Sequence, residues 1–200
     1  MSTTRRDFFR FGISHAAQAL EHSARALWRA IPGAEHRPPE RPRVTWLRPP
    51  GALPERDFLA TCTRCNDCVA ACPQWAVRKA GRELGWGIVG TPILLPAEQP
   101  CWMCTDMPCI PACETGALLP LEHPSDARMG TIAIRMDECY AAQGSICETC
   151  AERCPTRPKA IRVAFGQAPE IDAALCTGCG VCAWLCPANA IDVFPDPDRG

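Results

Sequence analysis

Apolar residues in this chain gather in short runs separated by polar, proline and glycine positions. Five such runs, at 93–95, 117–119, 131–134, 160–163 and 190–194, have the length of short strands bounded by turn residues. A different period marks residues 15–31, where Leu20, Ala24, Leu27, Trp28 and Ile31 recur at helical spacing. That segment reads as an amphipathic helix. Its apolar face is expected to pack on the rest of the chain, with a membrane surface or a partner as the alternatives. No run approaches the length of a transmembrane helix.

Between the strand candidates lie the cysteines. There are sixteen, in four groups of four. The first is Cys62, Cys65, Cys68 and Cys72, followed by Pro73; the last is Cys176, Cys179, Cys182 and Cys186, followed by Pro187. Both follow C-x2-C-x2-C-x3-C-P, the run that wraps thiolates around a cubane iron–sulfur cluster. The second group is Cys101, Cys104, Cys109 and Cys113, followed by Glu114. The third is Cys139, Cys147, Cys150 and Cys154, followed by Pro155.

Two intervening residues let a tight loop present successive thiolates to adjacent corners of one cube. The three-residue gap is expected to lead into a short helix whose first turn bears the fourth cysteine, and proline then redirects the chain. Gly178 and Gly180 suit a backbone pressed against a cluster. Trp75, Trp102 and Trp184, beside cysteines, are expected to shield clusters from water. The repeating unit is therefore strand, cysteine loop, short helix, strand, present about four times.

Other uses of cysteine fit less well. A disulfide framework ignores the repeated register and needs an oxidising compartment. Structural zinc sites place two knuckles a dozen or more residues apart, whereas here each identical run crowds four thiols into eleven residues. Haem attachment requires C-x-x-C-H, and no knuckle is followed by histidine. The C-x3-C-x2-C triplet of radical enzymes is absent as well. Four sets of four thiolates imply four 4Fe-4S clusters, and a chain with four clusters is expected to carry electrons.

Composition then sharpens the fold. Twenty-one prolines and fourteen glycines describe a loop-rich chain, and sixteen of its nominally apolar residues are cysteines. A conventional core would be thin, with clusters serving as the interior. The apo-protein is expected to be largely unfolded, as in small domains organised by their metal. The fold class is α+β: two pseudo-symmetric two-cluster units over residues 51–200, preceded by a segment 1–50 that ends in a proline- and arginine-rich linker.

Charge is divided along the chain. Residues 1–48 hold nine arginines against four acids, whereas 49–200 balance at −6. Four oxidised clusters would add about −8 to the latter. Such a basic tail suits a redox partner or a membrane surface, and nothing in it suggests nucleic-acid binding. Thr4, Arg5, Arg6, Phe8, Phe9 and Arg10 resemble a twin-arginine export signal, but Glu21, Arg25 and Arg29 interrupt the apolar stretch such a signal needs. The expected location is cytoplasmic, at or near the membrane surface, with export to the periplasm as the alternative.

In two-cluster ferredoxins the fourth cysteine of each run ligates the other cluster. The first and last groups share one spacing, which favours pairing first with fourth and second with third. Cys62, Cys65 and Cys68 would then join Cys186; Cys176, Cys179 and Cys182 would join Cys72. Likewise Cys101, Cys104 and Cys109 would join Cys154, and Cys139, Cys147 and Cys150 would join Cys113. Sequential pairing, first with second and third with fourth, is the alternative.

Residues 47–194 resemble the polyferredoxins of the NapG and MauM type, with the shorter NapF type close by. The resemblance rests on Leu-Arg-Pro-Pro-Gly-Ala at 47–52, Cys-Thr-Arg-Cys-Asn-Asp-Cys at 62–68, and Pro-Cys-Trp-Met-Cys-Thr-Asp-Met-Pro-Cys at 100–109. Asp-Ala-Arg-Met-Gly at 126–130 and the stretch 139–155 continue it. The second group, with Pro108 before Cys109, also resembles the four-cluster subunits of molybdenum oxidoreductases, in which the first group pairs with the fourth. These resemblances imply electron relay between a quinol-oxidising membrane protein and a terminal reductase or cytochrome, without substrate chemistry in the chain itself. The alternatives they imply are an accessory protein that matures a molybdenum reductase, or an electron-transfer subunit of a larger oxidoreductase.

Overall fold

The computed structural model describes residues 46–196. The amphipathic helix expected over 15–31 and the arginine pair lie outside the described residues. Helices within them are short. The longest, α1 (Glu55–Thr61), begins after Pro54, carries Glu55 and Asp57 in its first turn, and buries Phe58. Carboxylates there complement the positive end of the helix dipole.

The remaining α-helices among the described residues, α2 (Asp67–Ala70), α3 (Thr149–Arg153) and α4 (Val181–Trp184), are about one turn each, and each holds the third cysteine of its group: Cys68, Cys150 and Cys182. This corrects the expectation that the helix would carry the fourth. Cys72, Cys154 and Cys186 lie just beyond the helix ends, and each precedes a proline. A residue before proline is driven out of the helical region, and Cys154 accordingly sits at φ −59, ψ 121. The second group forms consecutive turns instead of a helix, with Ile110 N–H bonded to Met107 O and Cys113 N–H to Ile110 O. Pro108 and Pro111 flank Cys109, and Pro111 has no N–H for a continuing helix.

The strands form three two-stranded antiparallel sheets among the described residues. In the first, β1 (Val77–Lys79) pairs with β2 (Pro92–Leu94), with Val77 opposite Leu94. This hairpin lies between the first and second cysteine groups, and a single bridge from Ala52 to Leu118 closes the stretch that contains both. In the second, β4 (Ile161–Arg162) pairs with β5 (Glu170–Ile171) between the third and fourth groups. In the third, β3 (Gly130–Ile134) pairs with β6 (Ile191–Pro195), with Gly130 opposite Pro195 and Ile134 opposite Ile191. It closes the stretch holding those two groups.

Four of the five expected strands overlap observed ones. The run 117–119 contributes only the Leu118 bridge.

The core is small and shared with cysteine. Phe58, Leu47, Ile93, Leu94, Ile161 and Val181 are fully buried, in one cluster with Cys68, Cys109, Cys150, Cys154, Cys176, Cys179 and Cys182 for all but Ile93. Residues 46–50, expected to belong to an extended linker, are part of this packing. Leu47 exchanges backbone hydrogen bonds with Leu94 at 3.0 and 2.8 Å. The Arg48 guanidinium lies between the rings of Trp46 and Phe58, 4.8 and 4.4 Å from their centroids. It donates to the Glu55 carboxylate, to Thr91 Oγ1 at 2.8 Å and to Pro92 O at 2.9 Å. Burying this arginine is tolerable because its donors meet acceptors and its faces meet aromatic rings.

Candidate metal centres

No cysteine is joined to another; all sixteen are free thiols. They stand round four cavities, four to each. The first cavity has Cys62, Cys65, Cys68 and Cys113 in its wall. The second has Cys101, Cys104, Cys109 and Cys72. The third has Cys139, Cys147, Cys150 and Cys186. The fourth has Cys176, Cys179, Cys182 and Cys154.

Every cavity thus takes three thiols from one group and the last thiol of another. The exchange runs between first and second groups, and between third and fourth. The cavities group the thiols as in the sequential alternative and not as in the favoured pairing of first with fourth and second with third: Cys113 rather than Cys186 stands with the first set, and Cys72 rather than Cys154 with the second. Identical spacing in the first and last groups reflects local loop shape and carries no information about distance. What brings neighbours together is the hairpin between them, β1–β2 in one half and β4–β5 in the other. The Ala52–Leu118 bridge and the β3–β6 pair then close each half on itself.

Local backbone shape sets the thiols in place. Arg64 and Asn66 in the first group, Met103 in the second, and Gly178 and Gly180 in the fourth all have positive φ. These left-handed positions curl each knuckle round its sulfurs. Gly178 and Gly180 have a further reason to be glycine, different from the one expected. A Cβ on Gly178 would come 2.4 Å from the backbone of Gly130, and one on Gly180 would come 2.5 Å from Pro96 Cβ. Their tight contacts are with neighbouring chain segments.

Burial disfavours the charged form of most of these thiols. Burial pushes the thiols of Cys68, Cys150 and Cys179 up to about 11 and those of Cys101 and Cys109 up to about 12. Cys182 is raised further, by burial first and then by Cys179 and Cys176. Opposing these rises are backbone N–H groups, Met103 on Cys101, Val181 on Cys179 and Ala151 on Cys150. Two thiols fall below the ordinary range. Burial raises Cys113 and Cys154, but the hydroxyls of Thr115 and Thr156 and several N–H groups outweigh it. So many close thiolates with so little cationic company are stable only around positive charge of their own.

A single ion is a poor match. Among the described residues no three Cys, His, Asp or Glu side chains converge closely enough to hold one metal ion. Thiols spaced round a largely apolar cavity match a polynuclear inorganic core, with thiolates at its corners, far better than tetrahedral zinc.

The second and fourth cavities are neighbours. Cys101 N–H donates to Cys179 O at 3.0 Å, and Thr177 Oγ1 approaches Met103 Sδ at 3.8 Å. Trp102 meets Trp184 edge to face with centroids 5.7 Å apart. Trp102 lines the second cavity, in keeping with a shielding role. Trp75 is 78% exposed, outside every thiol cavity, and does not shield one. Spacing alone also passed over Thr115 and Thr156. Their signal is a hydroxyl two places after a fourth cysteine, in Cys-Glu-Thr and Cys-Pro-Thr.

Comparison with known proteins agrees with this chemistry. Residues 169–192 match the 4Fe-4S binding domain. The methylamine utilization ferredoxin-type protein MauM of Methylorubrum extorquens is 42% identical over 161 residues, covering 74% of this chain and 72% of that protein. The ferredoxin-type protein NapG of Escherichia coli is 36% identical over 163 residues, covering 74% and 70%. The ferredoxin-type protein NapF of the same organism is 30% identical over 147 residues, covering 72% and 82%.

Proposed function

This chain belongs to the MauM and NapG family of ferredoxin-type proteins, and on that premise we propose that it relays electrons through four 4Fe-4S clusters. The observation that carries the number is the set of four cavities, each with three thiols from one group and the last from its neighbour. In this reading Cys62, Cys65, Cys68 and Cys113 hold one cluster, and Cys101, Cys104, Cys109 and Cys72 a second. Cys139, Cys147, Cys150 and Cys186 hold a third, and Cys176, Cys179, Cys182 and Cys154 a fourth. When bound, each cluster supplies one-electron redox chemistry.

The chain's own residues give that chemistry its path. Each exchange of a fourth cysteine ties two clusters into one pseudo-symmetric half, with a hairpin at its centre. The bond from Cys101 to Cys179 and the Trp102–Trp184 contact join the halves. These contacts support a row in the order first, second, fourth, third, with the first and third clusters as the ends. Cys65 is exposed at one end; at the other, Ile146 beside Cys147 is 77% exposed. Both ends suit redox protein partners, a quinol-oxidising membrane protein on one side and a reductase or cytochrome on the other. No helix among the described residues is long and apolar enough to cross a membrane.

The test is iron and sulfide quantitation on protein purified without oxygen, with paired alanine variants. The wild type should hold about sixteen iron atoms, four per cubane. Cys72→Ala and Cys104→Ala remove ligands of the same cluster, so the double variant should lose no more iron than either alone. Cys72→Ala with Cys179→Ala should lose about twice as much. Equal losses in the two double variants would overturn the assignment.

A further inference from the structure

The four exchanged cysteines are not equivalent. Cys113, in the first cavity, lies 3.6 Å from Thr115 Oγ1. Cys154, in the fourth, lies 3.2 Å from Thr156 Oγ1. In both, the hydroxyl stands two residues after the cysteine. At the same offset from Cys72 and Cys186 the chain has Gln74 and Ala188, which carry no hydroxyl. Within each half, one exchanged cysteine has a threonine hydroxyl on its sulfur and its counterpart is followed by none.

Thr156 is held for this role. Its Oγ1 accepts the N–H of Ala160 at 2.9 Å, which leaves the hydroxyl proton to point elsewhere. The residue is buried, so water does not compete for that proton. A thiolate sulfur accepts and cannot donate, so with Cys154 ionised the hydroxyl is the donor. Thr115 makes the same contact at greater length and in an exposed turn. A longer approach, 4.0 Å, relates Cys147 to Thr149 in the third cavity.

A hydrogen bond to a ligating sulfur withdraws negative charge from it. The reduced cluster carries one electron more than the oxidised one and gains more from that withdrawal. From this geometry we propose that Thr115 and Thr156 are tuning residues, raising the reduction potentials of the clusters bound through Cys113 and Cys154. This rests on the cluster assignment above. Along the row of first, second, fourth and third clusters, exchanged cysteines with and without a threonine hydroxyl then alternate, while Cys186 in the third accepts the N–H of Ala190 at 3.3 Å. The stronger effect belongs to Thr156, whose contact is shorter and dry. The step concerned is uptake of one electron by one cluster, taken in the test from dithionite, with no proton transferred from the hydroxyl.

The experiment is a potentiometric titration of the loaded protein, followed by electron paramagnetic resonance, with iron counted in each sample. Thr156→Val removes the hydroxyl while keeping the shape. It should lower one of the couples by about threefold to tenfold in its reduction equilibrium, tenfold being about 59 mV for a one-electron couple. Thr156→Ser restores the donor and should return that couple towards the wild-type value. Thr115→Val, at an exposed site that tolerates change, should lower a different couple by a smaller amount. Full iron with unmoved couples in both valine variants would overturn the tuning and leave the cluster assignment standing. A Thr156→Ser couple shifted as far as that of Thr156→Val would likewise show packing at work instead of a hydrogen bond. Wild-type iron far below about four atoms per cavity would instead overturn the assignment itself.

Discussion

The N–H of Cys101 donates to the carbonyl of Cys179 across 3.0 Å, joining a knuckle of the second cysteine group to one of the fourth. The fourth-group knuckle is also pressed against other segments of the chain. Gly178 faces the backbone of Gly130, and Gly180 faces Pro96. A β-carbon has no place at either position.

Gly178→Ala is therefore expected to be costly. The site has φ +70, where a non-glycine residue costs about 1–2 kcal/mol. The added methyl would also overlap the Gly130 backbone at 2.4 Å, and overpacking adds about 1–3 kcal/mol. Gly130 is paired with Pro195 in the β3–β6 sheet and cannot retreat freely. The variant should bleach at a markedly lower temperature than wild type when heated without oxygen. Gly144→Ala is the matched control, since that glycine has φ +83 but its Cβ would meet no atom within 4 Å. Equal losses in the two variants would mean that backbone conformation alone, and not the contact with Gly130, sets the cost.

Arg48 supports the fold at the point where the described chain begins. Its guanidinium is 7% exposed and its partner Glu55 20% exposed, with the shorter contact between them 2.5 Å. Arg48→Met should destabilise by about 2–4 kcal/mol, somewhat under the range for a fully buried broken pair because water reaches Glu55. Arg48→Lys keeps the charge but loses the planar fork that serves Glu55, Thr91 and Pro92 together, and should recover less than half. Resistance to chemical denaturation, followed by cluster colour, measures both. If lysine restored full stability, charge alone would be sufficient.

Much of this arrangement is legible in the residues, and what is not has a physical cause. Cysteine spacing marks all four groups, because a knuckle is a local structure set by a few torsions. Pairing between groups depends on hairpins and strand closures. Two of those elements, β1 and β5, are three and two residues long and carry too few apolar residues to stand out as runs. The packing of residues 46–50 is hidden by composition, since Pro49 and Pro50 suggest an extended linker. Only the buried Leu47, bonded to Leu94, and Arg48, bonded to Glu55, reveal a fixed segment. Gly178 and Gly180 are legible as glycines that must stay glycine, but what they must accommodate becomes visible only once Gly130 and Pro96 are near.

Proton linkage gives the last prediction. The ordinary thiol value is 9.0, and burial raises Cys68 and Cys179 to about 11 and Cys101 and Cys109 to about 12. A group raised in the folded chain stabilises it fully below its unfolded value, and that contribution is lost as pH climbs through the folded one. Without iron, the folded cavities therefore favour protonated thiols below pH 9 and lose that support towards pH 11–12. Iron must displace those protons, so loading from the apo-protein with iron and sulfide should become more favourable as pH rises. Each cavity releases about four protons, so the second, with Cys101 and Cys109 both near 12, should load at a higher pH than the first but no more steeply. Reconstitution at fixed free iron, followed by visible absorbance and bound iron, should give a yield that increases between mildly acidic and mildly alkaline buffer. Cys104→Ala, which removes a ligand of that cavity, should show a shallower profile. Parallel profiles for wild type and Cys104→Ala would mean that proton release at the second cavity does not govern its loading.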